Sequence, residues 1–116
     1  MPAPPASFWL APWWPTDAMD AAFHEVFRQQ LEREVSPGHV LHGVPTRLMA
    51  RGGGDDCLFE LLDGSGRLAT VHLTWASGPD RLPWPQTWLH DSLAAWADEV
   101  MRPEHGGPDA AHGRRG

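Results

Sequence analysis

The stretch from Cys57 to Trp75, CLFELLDGSGRLATVHLTW, constrains the fold more than any other part of the chain. Two runs of apolar and β-branched residues flank Asp63-Gly64-Ser65-Gly66, the composition of a hairpin closed by a glycine-bearing turn. A tight loop with Leu62 opposite Arg67 would set Cys57 against His72, a thiol–imidazole pair in which a neighbouring imidazolium favours the thiolate. A three-residue loop over Gly64-Ser65-Gly66, with Gly66 left-handed as a bulge, would instead place Leu61 opposite Ala69, Phe59 opposite Val71 and Cys57 opposite Leu73. The second register gathers Cys57, Phe59, Leu61, Ala69, Val71, Leu73 and Trp75 on one face, and a slip of one residue would mix them with Thr70, His72 and Thr74. Burial therefore favours the bulged turn. Cys57 is then a small buried hydrophobe, and His72 lies on the other face near Leu58, Glu60, Thr70 and Thr74.

The rest of the chain is read around this hairpin. Residues 1–15 form a Pro/Trp-rich arm, MPAPPASFWLAPWWP, too broken by proline to become a helix. Thr16-Asp17 caps an amphipathic helix whose stripe is Met19, Ala22, Phe23, Val26, Phe27 and Leu31, extended by Val35 and stopped at Ser36-Pro37-Gly38. A strand runs from about Val44 to Arg51, and Gly52-Gly53-Gly54-Asp55-Asp56 loops into the hairpin. A proline-rich connection follows, with Thr87 to His90 as an optional short fourth strand at an edge. Asp91-Ser92 caps a last helix in which Leu93, Trp96, Ala97 and Val100 share a face, ending before Pro103. The expected fold is a single α+β domain over residues 16–103: N-terminal helix, three-stranded antiparallel meander, C-terminal helix, with both helices on one face of the sheet. Residues 104–116 read as a disordered tail.

Charge and cysteine usage narrow the function classes. Lys+Arg number 9 against Asp+Glu 15, a formal charge of -6, and the only adjacent basic pair is Arg114-Arg115, so phosphate repulsion argues against nucleic acid. The lone Cys57 forms no internal disulfide, and the start of the chain has neither a basic n-region nor an unbroken apolar span. A cytoplasmic, bacterial-type setting with no membrane association is the expectation.

No complete catalytic constellation is legible. His39 and His42 have ligand-like spacing, but residues three apart on an extended segment point to opposite faces and no second pair completes a set, so neither metal nor cofactor is expected. His90-Asp91 suggests an oriented imidazole, yet Asp91 is better explained as a helix cap. Asp55-Asp56 lacks the ligand array of a calcium loop and is read as an exposed turn. Trp75, Trp88 and Trp96 fit core or rim packing. Trp9, Trp13 and Trp14 need another reason: the arm folds back over the sheet and seals Leu58, Leu62 and Leu68, or it inserts into a partner or a second subunit. Its proline stiffness favours the first.

Residues Ala69 to Trp75, then Trp84-Pro85-Gln86-Thr87, Asp91-Ser92, Trp96 and Met101-Arg102-Pro103-Glu104-His105, resemble a group of small bacterial proteins that share a VHLTW strand, a Trp-Pro-x-Thr turn and a closing M-x-P-[DE]-H segment. The resemblance covers about half of the chain, from Asp55 to His105, and implies no activity. It directs attention to His72, Thr74, Trp75, Trp84 and His105, and the arm tryptophans Trp9, Trp13 and Trp14 join them as candidate binding residues on their own account. The expected role is a non-catalytic module that binds another protein or assembles with itself. Two alternatives stand beside it: a small hydrolase or metal-dependent enzyme centred on His72 with Glu60, Asp56 or His90, and, by analogy with acidic compact domains, an immunity-type protein that neutralises a toxin.

Overall fold

A computed structural model of the chain describes residues 4–106. It is a mixed α+β structure on a five-stranded antiparallel sheet, ordered β1 (Trp14–Pro15), β2 (Thr46–Arg51), β3 (Asp56–Leu61), β4 (Leu68–His72) and β5 (Thr87–His90). Helix α1 (Ala21–Glu34) lies between β1 and β2 in sequence; after β5, α2 (Leu93–Trp96), a π-helical turn (Ala97–Met101) and α3 (Arg102–His105) run on without a break. The meander is thus larger than expected, because β5 forms and because the arm supplies β1, pairing Trp14 with Arg51 and Pro15 with Ala50. Among the described residues no helix is long and apolar enough to cross a membrane.

The two helices do not share a face. Phe27 and Leu31 of α1, with Val35 at its C-terminal cap, pack on Leu48, Cys57, Phe59, Leu61, Ala69 and Val71, whereas Trp96, Ala97 and Met101 pack with Trp13 on Ala50, Leu58 and Leu68. The reason lies in β3 and β4, which carry apolar residues on both pleats, Cys57, Phe59, Leu61, Ala69 and Val71 on one and Leu58 and Leu68 on the other, so each face of the sheet needs its own cover. A bulge at Met49 adjusts β2 to both layers: Leu48 pairs with Phe59 but Ala50 with Leu58, which moves Ala50 to the second face and aims Arg51 over the Phe27 ring at 4.6 Å.

The central hairpin takes neither register weighed from the sequence. Leu61 N–H donates to Arg67 C=O, and Cys57 pairs with Val71, Phe59 with Ala69 and Asp56 with His72. Cys57 therefore meets Val71 instead of Leu73, an even slip that leaves every strand side chain on its face. The wider loop is held by Asp63, whose carboxylate accepts from Ser65 N–H at 3.0 Å and from Ser65 Oγ–H at 2.6 Å, with Gly64 and Gly66 both at positive φ. Those two bonds hold the Asp63 carboxyl below its ordinary range.

Several boundaries shift for identifiable reasons. Thr16 continues the pairing of β1, donating its N–H to Met49 C=O and its hydroxyl to Leu48 C=O, so α1 starts later and Asp20, not Thr16-Asp17, caps it by accepting from Phe23 N–H. Met19 precedes the helix and is exposed, and Ala22 and Val26, expected on the buried stripe, are exposed too because the buried face runs through Phe27, Gln30, Leu31 and Glu34. Ser92 rather than Asp91 caps α2, accepting from Ala95 N–H. The last helix passes through Pro103 because Arg102 N–H reaches back to Ala97 C=O, a widened turn that accommodates a ring that would clash in a regular helix. Glu104 and His105 are therefore helical and not part of a loose tail; residues 107–116, the remainder of that expected tail, lie outside the described residues.

The arm docks on its own domain. Ala6–Phe8 makes a short 3-10 turn, against the expectation that nothing in the arm is helical, and Phe8, Trp9 and Trp13 surround Trp96, Trp13 edge-on at 5.1 Å between ring centroids. Trp13 Nε1–H donates to Glu104 Oε1 at 2.8 Å, and His105 Nδ1 lies 2.8 Å from Ala11 C=O. Gly52 makes the fit close: a Cβ there would lie 2.7 Å from the Trp13 ring.

Candidate functional site: an acidic cleft between the sheet and the last helix

The outer pleat of β4 presents Leu68, Thr70 and His72, and β5 adds Trp88 and His90 beside them. The π-helical turn stands over these residues and leaves a cleft of about 560 Å³ lined by Asp56, Thr70, His72, Trp88, His90 and Glu99, with Glu104 at one end. Two imidazoles are oriented inside it. His72 Nδ1 lies 2.8 Å from Asp56 Oδ1, because the two residues are cross-strand partners. His90 is buried, with Nδ1 2.7 Å from Glu99 Oε1 and Nε2 2.8 Å from Thr70 Oγ1. A carboxylate only accepts, so Glu99 takes the Nδ1–H of His90 and the Thr70 hydroxyl donates to Nε2. The chain Thr70–His90–Glu99 has the order of hydroxyl, base and orienting acid.

Of the candidate binding residues read from the sequence, His72 alone lines this cleft, joined there by Asp56 and His90, two of the partners named for an enzyme centred on His72; the third, Glu60, does not line it. Thr74 donates its hydroxyl to Asp80 Oδ2 and its N–H to Glu34, on the α1 side. Trp75, expected on the core face with Cys57, lies beyond the end of β4 at φ 58, half-exposed, its Nε1–H donating to Asp55 Oδ1 at 3.0 Å. Trp84 is exposed in the connection before β5; Trp9 and Trp13 cover Trp96; Trp14 is exposed beside Phe23; His105 ties the helix end to the arm. His39 is held in place by Leu41 N–H on Nδ1 and by Pro85 C=O at Nε2, so it acts as a structural brace. The residues that sequence reasoning passed over are Thr70, Glu99 and Trp88. Glu99 had no signal at all, since its approach to His90 depends on the π-helical turn.

Cys57 is fully buried on the opposite face, out of reach of His72. Burial pushes its thiol up from 9.0 to about 12, well away from a nucleophile's range. Native protein is therefore expected to stay unmodified by a thiol reagent at pH 8 and to react stoichiometrically once unfolded; rapid native reaction would contradict the buried position. Because the thiol ionises near 9 in the unfolded chain and near 12 in the folded one, stability is unaffected below about 9 and falls as pH rises from there towards 12.

Fold and cleft together define an antiparallel α+β sandwich with an acidic, imidazole-bearing groove. No family model matches the chain, and neither a curated protein nor a solved structure matches it. Among the described residues no group of three or more His, Cys, Asp or Glu side chains is arranged to hold a metal ion.

Proposed function

We propose that the protein is a binding module whose cleft takes a cationic, donor-rich group of a partner protein, such as an arginine or lysine side chain. The observation that carries this reading is the cleft itself: Asp56, Glu99 and Glu104 converge on one hollow, with the exposed Trp88 indole at its rim. Carboxylates accept from guanidinium or ammonium groups, and an indole face attracts the same cation. The formal charge of -6 draws basic partners at long range. An immunity-type role, with a basic toxin as partner, is one instance of this reading. A cytoplasmic setting accords with the single, buried, unpaired cysteine.

Agmatine, which carries both a guanidinium and an amine, is a direct probe. Titrated into the protein, it is expected to shift the amide resonances of Thr70, His72 and Glu99 and the indole N–H of Trp88. A Asp56→Asn/Glu99→Gln double variant is expected to bind it at least about tenfold more weakly. Equal affinity in the variant, or shifts gathered on another surface, would remove the cleft from consideration.

A second reading rests on one observation, the two imidazoles oriented by carboxylates within the same cleft. With Asp56 accepting from Nδ1–H, the Nε2 of the half-exposed His72 is free to accept a proton, as a hydrolase base must. On this reading, turnover of an activated ester above the buffer rate falls by about two orders of magnitude or more in His72→Gln. A wild-type rate equal to buffer retires it.

A further inference from the structure

We infer that the free edge of the sheet at β5 pairs with the same edge of a second copy of this chain, antiparallel about a two-fold axis, with Trp88 facing the partner's Trp88. This stands independently of what occupies the cleft. The sheet has two outer strands, and they are unlike. β1 is two residues long and ends in Pro15, which has no N–H to offer a further strand. β5 is four residues long, Thr87-Trp88-Leu89-His90, without proline and without any Asp, Glu, Lys or Arg to repel another strand.

The pairing with β4 shows which backbone groups point outward. His72 N–H donates to Gln86 C=O, and Trp88 is the register partner of Thr70, so Gln86, Trp88 and His90 turn their peptide groups toward β4. Thr87 and Leu89 turn theirs away from the sheet, and among the described residues no backbone outside the sheet meets them. An added strand must bond to those two residues. Pairing Thr87 with the partner's Leu89, and the reverse, forms about four hydrogen bonds and sets Trp88 against Trp88 at the closer cross-strand spacing.

The side chains around this edge suit a copy of themselves. Trp88 is 51% exposed and Leu89 37%, one on each pleat, with Leu82, Trp84 and Val40 exposed nearby. An isologous contact requires a self-complementary surface, and an uncharged apolar one satisfies that requirement. In this register His90 lies opposite the partner's Gln86 and Asp91 opposite the partner's Pro85, so no like charges meet although each copy carries -6. Moving one step further would draw Asp91 into the ladder, where the chain is already leaving the strand for the Ser92 cap. The two clefts would open side by side on one face of the joined sheet.

Light scattering on the full chain at micromolar concentration is expected to give twice the monomer mass. Leu89→Pro removes an outward N–H and none of the bonds to β4, and is expected to give the monomer mass with a cooperative thermal transition retained. Should that variant fail to fold, Leu89→Lys, which charges the edge and leaves the backbone intact, is expected to give the monomer. Trp88→Cys is expected to form a covalent dimer on mild oxidation, while Trp14→Cys, at the other end of the sheet, is not. A monomeric wild type over the whole concentration range, a dimer that survives in folded Leu89→Lys, or Trp88→Cys that stays monomeric on oxidation would each overturn the proposal.

Discussion

Glu34→Ala is expected to lower unfolding free energy by about 3–5 kcal/mol, one of the largest losses available to a single side chain in this protein. Glu34 is fully buried at the end of α1. Its carboxylate accepts from Thr74 N–H at 2.9 Å, from Trp75 N–H at 2.8 Å and from Gln30 Nε2–H at 2.7 Å. Gln30 in turn donates to Ala76 C=O, so the whole departure of the chain from β4 is fastened to one carboxylate. That departure includes the left-handed conformation of Trp75, which a bulky residue holds only when its surroundings determine it. Alanine would leave two backbone donors without an acceptor; glutamine, keeping one acceptor oxygen, is expected to lose only part as much. Urea denaturation monitored by circular dichroism measures both, and a loss under about 1 kcal/mol for Glu34→Ala would mean the segment is held by something else.

Trp96→Ala is expected to cost about as much, 3–5 kcal/mol, and to free the arm. Trp96 is the ring around which Phe8, Trp9 and Trp13 gather, and it is completely buried. Its Nε1–H finds no hydrogen bond among the described residues, so Trp96→Phe is expected to lose less than about 1.5 kcal/mol, the ring being most of what matters. Limited proteolysis supplies the second readout: cleavage within residues 9–14 should rise sharply in Trp96→Ala and little in Trp96→Phe. Combined with Trp13→Ala, the losses should fall well short of additive, since the two rings meet edge-on at 5.1 Å.

What the sequence disclosed follows from which periodicities survive local irregularity. The alternation in Cys57, Phe59, Leu61, Ala69 and Val71 identifies the core face correctly because an even slip in register leaves that face unchanged. The same property hides the true register, and with it the partnership of Asp56 and His72. Strand β1 is two residues long and contains a proline, so it offers no period to detect, and the sheet gains a strand that no pattern announces. Shortest connections put both helices on one face, but Leu58 and Leu68 on the second pleat, packed with Trp96, need a cover of their own. Of the cleft, His72 was legible as an outward-facing imidazole on a strand. His90 was visible but linked to Asp91, its neighbour in sequence, while the group that orients it, Glu99, sits on another element.

The π-helical turn at Ala97–Met101 also bears on how this chain tolerates change in length. Trp96 and Met101, both wholly buried, are five positions apart, a spacing that a widened turn brings to one side and a regular helix does not. In effect the helix carries one residue more than its neighbours need. Excising a residue such as Asp98 would turn the five-residue reach from Arg102 N–H to Ala97 C=O into the ordinary four, letting the turn relax to the regular pitch with everything after it still in phase. Glu104 would keep its bond to Trp13 and His105 its place at the carbonyl of Ala11, so a single-codon deletion is expected to be tolerated here, whereas one in the regular turns of α1 would rotate everything after it by about 100°.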